Sequence, residues 1–165
     1  MIELIVLDVD GTLTNGQITY DSNGVETKSF DVADGLAIAV WTKKFGKKAA
    51  IITGRNSTIV EKRAKELGIT HLYQGITDKQ KVLNDILKEE EITFSQVAAI
   101  GDDLNDFNML KKAGLSFAPA NATSYIKDIV NVTCKNSGGS GAVREMLEYI
   151  FKEDGLEEDF INAWV

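Results

Sequence analysis

The stretch "VLDVDGTLT", residues 6–14, decides how the rest of the chain is read. It ends an apolar run, Ile2 to Leu7 interrupted only by Glu3, with two aspartates one residue apart, Asp8 and Asp10, and then Gly11 and Thr12. Aspartate is a poor strand former and is rarely buried without a partner. A strand that stops at two carboxylates therefore asks for a ligand, a cap or a proton, and the remaining sequence must say which.

Working outward, apolar runs of strand length alternate with segments of helical period, the pattern of an α/β domain with a parallel sheet. Strands are expected near 3–8, 48–53, 70–74, 96–101, 115–118 and 130–134, and helices near 34–46, 57–68, 78–91, 104–114, 122–128 and 140–153. The segment "NGQITYDSNGVETKSF" (15–30) differs, because polar and apolar residues alternate around Asn23-Gly24. Asn-Gly between alternating residues is a strong hairpin signal, so a β-hairpin flap is expected outside the main sheet. The expected fold class is thus α/β, a three-layer doubly wound parallel sheet, as one domain over 1–165. A length of 165 residues with 44% hydrophobic content is enough for one good core.

Charge and composition narrow the function. Eighteen basic against 25 acidic residues, with no basic stripe, disfavour nucleic acid and anionic membrane as partners. A single cysteine, Cys134, excludes an internal disulfide framework, and no signal peptide or long apolar span is visible. A cytoplasmic protein is expected. Cys134 reads as a buried strand residue, and Trp41 and Phe45 as core or subunit interface on an amphipathic helix.

In doubly wound sheets ligands bind beyond the carboxyl ends of the strands. The residues expected there are Asp8 and Asp10, then Thr53, Gly54 and Arg55, then Gly75 to Lys79, then Gly101, Asp102, Asp103 and Asp106. Several carboxylates at one edge repel one another and would take up protons unless a cation sat among them. Their hard oxygens favour Mg²⁺, which takes one or two carboxylates, waters and a substrate phosphate; the lone histidine, His71, is at a strand start and does not point to zinc. Arg55 and Lys79 lie at helix amino ends, where a positive side chain is mildly unfavourable until an anion binds. With Mg²⁺ and a phosphoryl group present, Asp8 could attack phosphorus, Asp10 could act as acid and base, and Lys79 with the Thr53 hydroxyl could hold the phosphate.

The motifs "DVDGT" (8–12), "ITGR" (52–55), "QGITDK" (74–79) and "GDDLND" (101–106) resemble, in order, the four motifs of the haloacid dehalogenase superfamily of phosphatases. The resemblance implies Asp8 as nucleophile and metal ligand, Asp10 as acid/base and backbone metal ligand, and Asp102 as a direct ligand. It also implies Asp106 as a metal support through water and Thr53, Gly54, Arg55 and Lys79 around the substrate. Asp103 joins the substrate-binding set, with an orienting role as its alternative. Over nearly the whole chain, including "FDVADGLAI" (30–38) and "SGGSGAVREM" (137–146), the sequence is similar to the capless group of 3-deoxy-D-manno-octulosonate 8-phosphate phosphatases. That resemblance implies no cap domain and a homotetramer in which the hairpin (about 15–30) and a neighbour's surface close each site; the hairpin and the C-terminal tail (about 155–165), with "EEDFINAWV" (157–165) and its apolar Phe160, Ile161 and Trp164, are candidates for intersubunit contacts. It implies a small-molecule sugar acid phosphate as substrate. Arg55 and Glu66 match the eight-carbon acid; the nine-carbon 9-phosphate is the alternative.

A phosphoacceptor module of response-regulator type also gathers acids, Thr and Lys around Mg²⁺, but its adjacent acids follow the first strand and its lone acceptor aspartate lies mid-sheet. Here the spaced pair comes first and the acidic cluster late. Asp34 reads as a helix N-cap rather than a catalyst, and Gly138, Gly139 and Gly141 as either an anion cradle or a flexible connection near the pocket.

Overall fold

The computed structural model describes residues 1–165. In chain order it contains β1 (Leu4–Leu7), the two-residue strands β2 (Thr19–Tyr20) and β3 (Glu26–Thr27), α1 (Val32–Ala39), β4 (Lys48–Ile52), α2 (Thr58–Glu66), β5 (His71–Tyr73) and α3 (Lys79–Glu89). These are followed by β6 (Val97–Ile100), α4 (Phe107–Lys112), β7 (Leu115–Ala118), α5 (Ser124–Lys127), β8 (Val132–Thr133), α6 (Ala142–Glu153) and α7 (Glu157–Asn162). Six strands form one parallel sheet in the order β5-β4-β1-β6-β7-β8, while β2 and β3 pair antiparallel as a separate hairpin. Between Gly54 and Lys79 the chain holds only α2 and β5, the capless arrangement.

The strand period of two explains the three layers. Leu4 and Val6 of β1 enter a core with Leu83 and Ile86 of α3, Met109 of α4 and Ile126 of α5. Ile5 and Leu7 enter the opposite core with Ile38 of α1, Val60 of α2 and Met146, Ile150 and Phe151 of α6. All four β1 residues are fully buried, as expected of a central parallel strand covered on both faces. β1 is also the middle of the sheet by register, Leu7 facing Ile51 on one side and Ile100 on the other.

Three expectations change. Asp34 does not cap α1: Asp31 does, accepting from the backbone N–H of Ala33 at 2.8 Å and of Asp34 at 3.1 Å. The helix begins earlier than its apolar period, since Val32 is an exposed residue of the first turn, and it continues into a π-helical turn over Val40–Lys44. The tail does not offer all three of its apolar residues to a neighbouring subunit. Phe160, on α7, is buried and stacks on Phe151 of α6 at 4.7 Å, so it belongs to this chain's own core, whereas Ile161 and Trp164 are exposed. Trp41 is likewise core, its indole N–H donating to the Lys48 carbonyl at 2.7 Å.

Candidate active site

Each motif segment leaves the sheet at the carboxyl end of a strand. Asp8 is the first residue after β1, its N–H bonded to the carbonyl of Ile100 at the end of β6. The turn that follows gathers the N–H groups of Thr12, Leu13 and Thr14 onto the carbonyl of Val9. Gly11 is required in it for two reasons: its φ is +90°, and a Cβ there would meet Asp102 Oδ2 at 2.0 Å. The backbone of the first motif and the carboxylate of the last are therefore packed against each other.

Lys79 is the first residue of α3 and almost completely buried. Its Nζ lies 2.7 Å from Asp8 Oδ1 and 2.6 Å from Asp106 Oδ1. Asp106 is also fully buried, and its other oxygen accepts from the backbone N–H of Asp102 at 3.0 Å. Asp106 thus ties α3 to the loop that carries Asp102. Carboxylate oxygens of Asp8, Asp102 and Asp106 lie within 4.8 Å of one another.

The electrostatics show which ligand this cluster suits. Burial pushes the Asp8 carboxyl up to about 6 in spite of Lys79. Burial and the Asp106 charge push Asp102 up to about 6, and burial with the Asp8 charge does the same to Asp106. Burial would lower Lys79, but Asp8 and Asp106 outweigh it and hold the ammonium above its ordinary value. One ammonium cannot neutralise three adjacent carboxylates, and a divalent cation would relieve the remainder. The donor set of hard oxygens and the Asp102 carboxylate pressed against Gly11 fit Mg²⁺.

In front of the cluster is an open pocket of about 310 Å³ lined by Asp8, Asp10, Thr53, Gly54, Arg55, Asp102 and Asp103, together with Gly16 and Asn105. Every residue expected around the substrate therefore faces one space except Lys79, which stands behind Asp8. Asp103 is exposed, lines the pocket and caps the short 3-10 turn Leu104–Asp106 by accepting from the Leu104 N–H at 2.7 Å. The glycine loop is a buttress and not an anion cradle. A Cβ on Gly138 would meet the Gly11 carbonyl oxygen at 2.1 Å, and Asn121 joins the two loops by donating to the Gly11 carbonyl and accepting from the Gly138 N–H.

The structure adds flap residues that sequence reasoning missed. Lys28, just beyond β3, reaches Asp10 Oδ1 at 2.7 Å, and Glu26 pairs with both Lys28 and Arg55. The signal was the alternation of Glu26 and Lys28 on one face of the hairpin. Nothing local indicated that this face turns toward the first motif.

Residues 67–147 match the family model described as haloacid dehalogenase-like hydrolase. The chain is 38% identical over 162 residues to the 3-deoxy-D-manno-octulosonate 8-phosphate phosphatase of Haemophilus influenzae, covering 98% of this chain and 89% of that protein. It is 41% identical over 155 residues to the Escherichia coli K12 enzyme of the same name, covering 93% and 81%. The crystal structure of the Moraxella catarrhalis 3-deoxy-D-manno-octulosonate 8-phosphate phosphatase in complex with magnesium ion, phosphate ion and KDO superposes with a TM-score of 0.95 at 42% identity, over 99% of this chain and 94% of that one.

Proposed function

This chain belongs to the haloacid dehalogenase-like hydrolases, and from that premise we propose that it hydrolyses 3-deoxy-D-manno-octulosonate 8-phosphate to the free sugar acid and phosphate, with Mg²⁺ as cofactor. The observation that carries the reading is the convergence of Asp8, Lys79, Asp102 and Asp106, from three crossovers, at the carboxyl edge of one sheet. The full-length similarity to phosphatases supports it further, and nothing supports the phosphoacceptor-module alternative. We read 1–165 as a single phosphatase domain.

Asp8 and Asp102, with the Asp10 carbonyl, would hold the metal, and Asp106 would support it from behind. When bound, Mg²⁺ supplies positive charge against the transferred phosphoryl group and the surrounding carboxylates. Asp8 attacks phosphorus through a carboxylate oxygen as the ester oxygen leaves, forming an aspartyl phosphate. Asp10 gives its proton to the departing alkoxide, then takes one from the water that cleaves the acyl phosphate and restores Asp8. Lys79 holds Asp8 in its rotamer and keeps it ionised, while Thr53 and the Gly54 segment receive the phosphoryl oxygens.

Arg55, at the pocket rim, suits the sugar carboxylate by a bidentate pair and favours the eight-carbon substrate over the nine-carbon 9-phosphate. The deciding experiment compares kcat/KM for the two sugar acid phosphates. A clear preference for the eight-carbon ester is expected, and a preference for the nine-carbon ester would overturn this assignment. No helix is long and apolar enough to cross a membrane, and we place the enzyme in the cytoplasm. We further propose a homotetramer, supported by the exposed apolar side chains of Tyr20, Val25, Val32, Ile161 and Trp164 on the flap, its exit and the tail.

A further inference from the structure

The flap carries one charged group that solvent scarcely reaches. β2 and most of the hairpin are exposed, yet the Lys28 side chain is only 1% exposed, with Nζ 2.7 Å from Asp10 Oδ1 and 3.1 Å from Glu26 Oε1. Desolvating an ammonium is costly unless its hydrogen bonds are satisfied by charged partners, and a short surface hairpin has no packing need for a lysine side chain held out of solvent. Glu26 fixes the lysine from the other side and is itself 3.4 Å from Arg55. The hairpin is thereby fastened across the pocket from Asp10 to Arg55.

We propose that Lys28 is a positioning residue for the reaction: by engaging Oδ1 of Asp10 it holds that carboxyl in one rotamer and leaves Oδ2 as the oxygen that exchanges a proton with the leaving group. In the transfer step the bond from phosphorus to the ester oxygen breaks as the bond to the Asp8 carboxylate forms. The proton on Asp10 Oδ2 passes to the departing alkoxide, and Lys28 keeps all its protons throughout. The flap thus supplies part of the acid/base machinery as well as a wall of the site. This role rests on the reading of Asp10 as the acid.

The test compares an alkyl ester, 3-deoxy-D-manno-octulosonate 8-phosphate, with 4-nitrophenyl phosphate, whose phenoxide leaves without needing a proton. In saturating Mg²⁺, kcat/KM reports only steps up to transfer onto Asp8. Lys28→Met is expected to lose about 100-fold in kcat/KM on the alkyl ester but less than about 5-fold on the aryl ester, with KM little changed. Lys28→Arg is expected to recover at least about 10-fold of the loss, since it restores charge and donor. Equal losses on both esters, or a loss carried by KM, would mean that Lys28 only shapes the flap and would overturn the proposal. Asp10→Asn separates the two levels of inference. If it is selective against the alkyl ester while Lys28→Met is not, the Lys28 role alone falls; if Asp10→Asn damages both esters equally, the reading of Asp10 as the acid falls and the Lys28 role with it.

Discussion

At the scale of single residues, chemistry is concentrated in side chains that would be poor choices for packing alone. A buried aspartate facing a buried lysine contributes little net stability, because desolvation offsets most of the attraction; Asp8 and Lys79 are better explained by what they do. Asp8→Asn should reduce phosphate release by at least about 1,000-fold, because an amide cannot serve as the nucleophile. Unchanged far-ultraviolet circular dichroism should accompany that loss, and near-parental turnover would remove Asp8 from the mechanism. Arg55→Ala should lose about tenfold more on the sugar acid phosphate than on 4-nitrophenyl phosphate, since only the former has a carboxylate to pair. Equal losses would argue against recognition by that guanidinium. The four motifs were legible because they are short, contiguous and chemically uneconomical for a core. Lys28 was not, because its significance depends on a partner 18 residues away.

At the scale of elements, most strands and helices were readable from period and caps, and the errors have local causes. Asp34 stands just where an N-cap is expected for the apolar period that follows, but the helix starts nearly one turn earlier on Asp31. The buried Asp34 instead accepts from the backbone N–H of Arg144 at 2.8 Å, in the first turn of α6, and so caps a helix distant in sequence. Burial pushes its carboxyl up to about 6. Its folded value exceeds the ordinary 3.8, so the folded state binds more protons between about pH 4 and 6, and the Asp34 contribution to stability declines as pH rises through that window. Asp34→Ala should destabilise by about 1–2 kcal/mol through the lost cap, whereas Asp34→Asn keeps an acceptor without the charge and should stay near the parent at neutral pH. Urea midpoints at constant m-value check both. Phe160→Ala should cost about 2–4 kcal/mol, because α7 packs through this ring onto Phe151 and beneath Arg144. A midpoint unchanged from the parent would mean that α7 is not docked in solution.

For the whole molecule, the sheet order is what turns scattered acids into a site. Placing β1 between β4 and β6 brings Thr53 and Arg55 to one side of Asp8 and Asp102 and Asp106 to the other. Mg²⁺ should therefore stabilise the fold as well as support turnover, since it binds the native cluster and not the unfolded chain. Protons compete for the same oxygens, whose carboxyls titrate near 6, so the gain in melting temperature on adding Mg²⁺ to EDTA-treated protein should be larger at about pH 7.5 than at about pH 5. A gain that is independent of pH would place the ion elsewhere. Sedimentation velocity should give four chain masses, and a monomer at micromolar concentration would refute the tetramer.

By itself the sequence determined the α/β class, the flap hairpin and which motif residues gather at the carboxyl edge of the sheet, because each of these is written in a contiguous pattern: a strand period, an Asn-Gly turn, a motif ending a strand. Tertiary structure decided which neighbours those residues meet. The placement of Lys79 behind Asp8, the fastening of Lys28 to Asp10, the capping of α6 by Asp34 and the return of Phe160 to the core all depend on chain crossings that no local pattern encodes. Burial energies and carboxylate titration follow from those meetings, since desolvation and Coulomb interaction depend on distance in space and not along the chain.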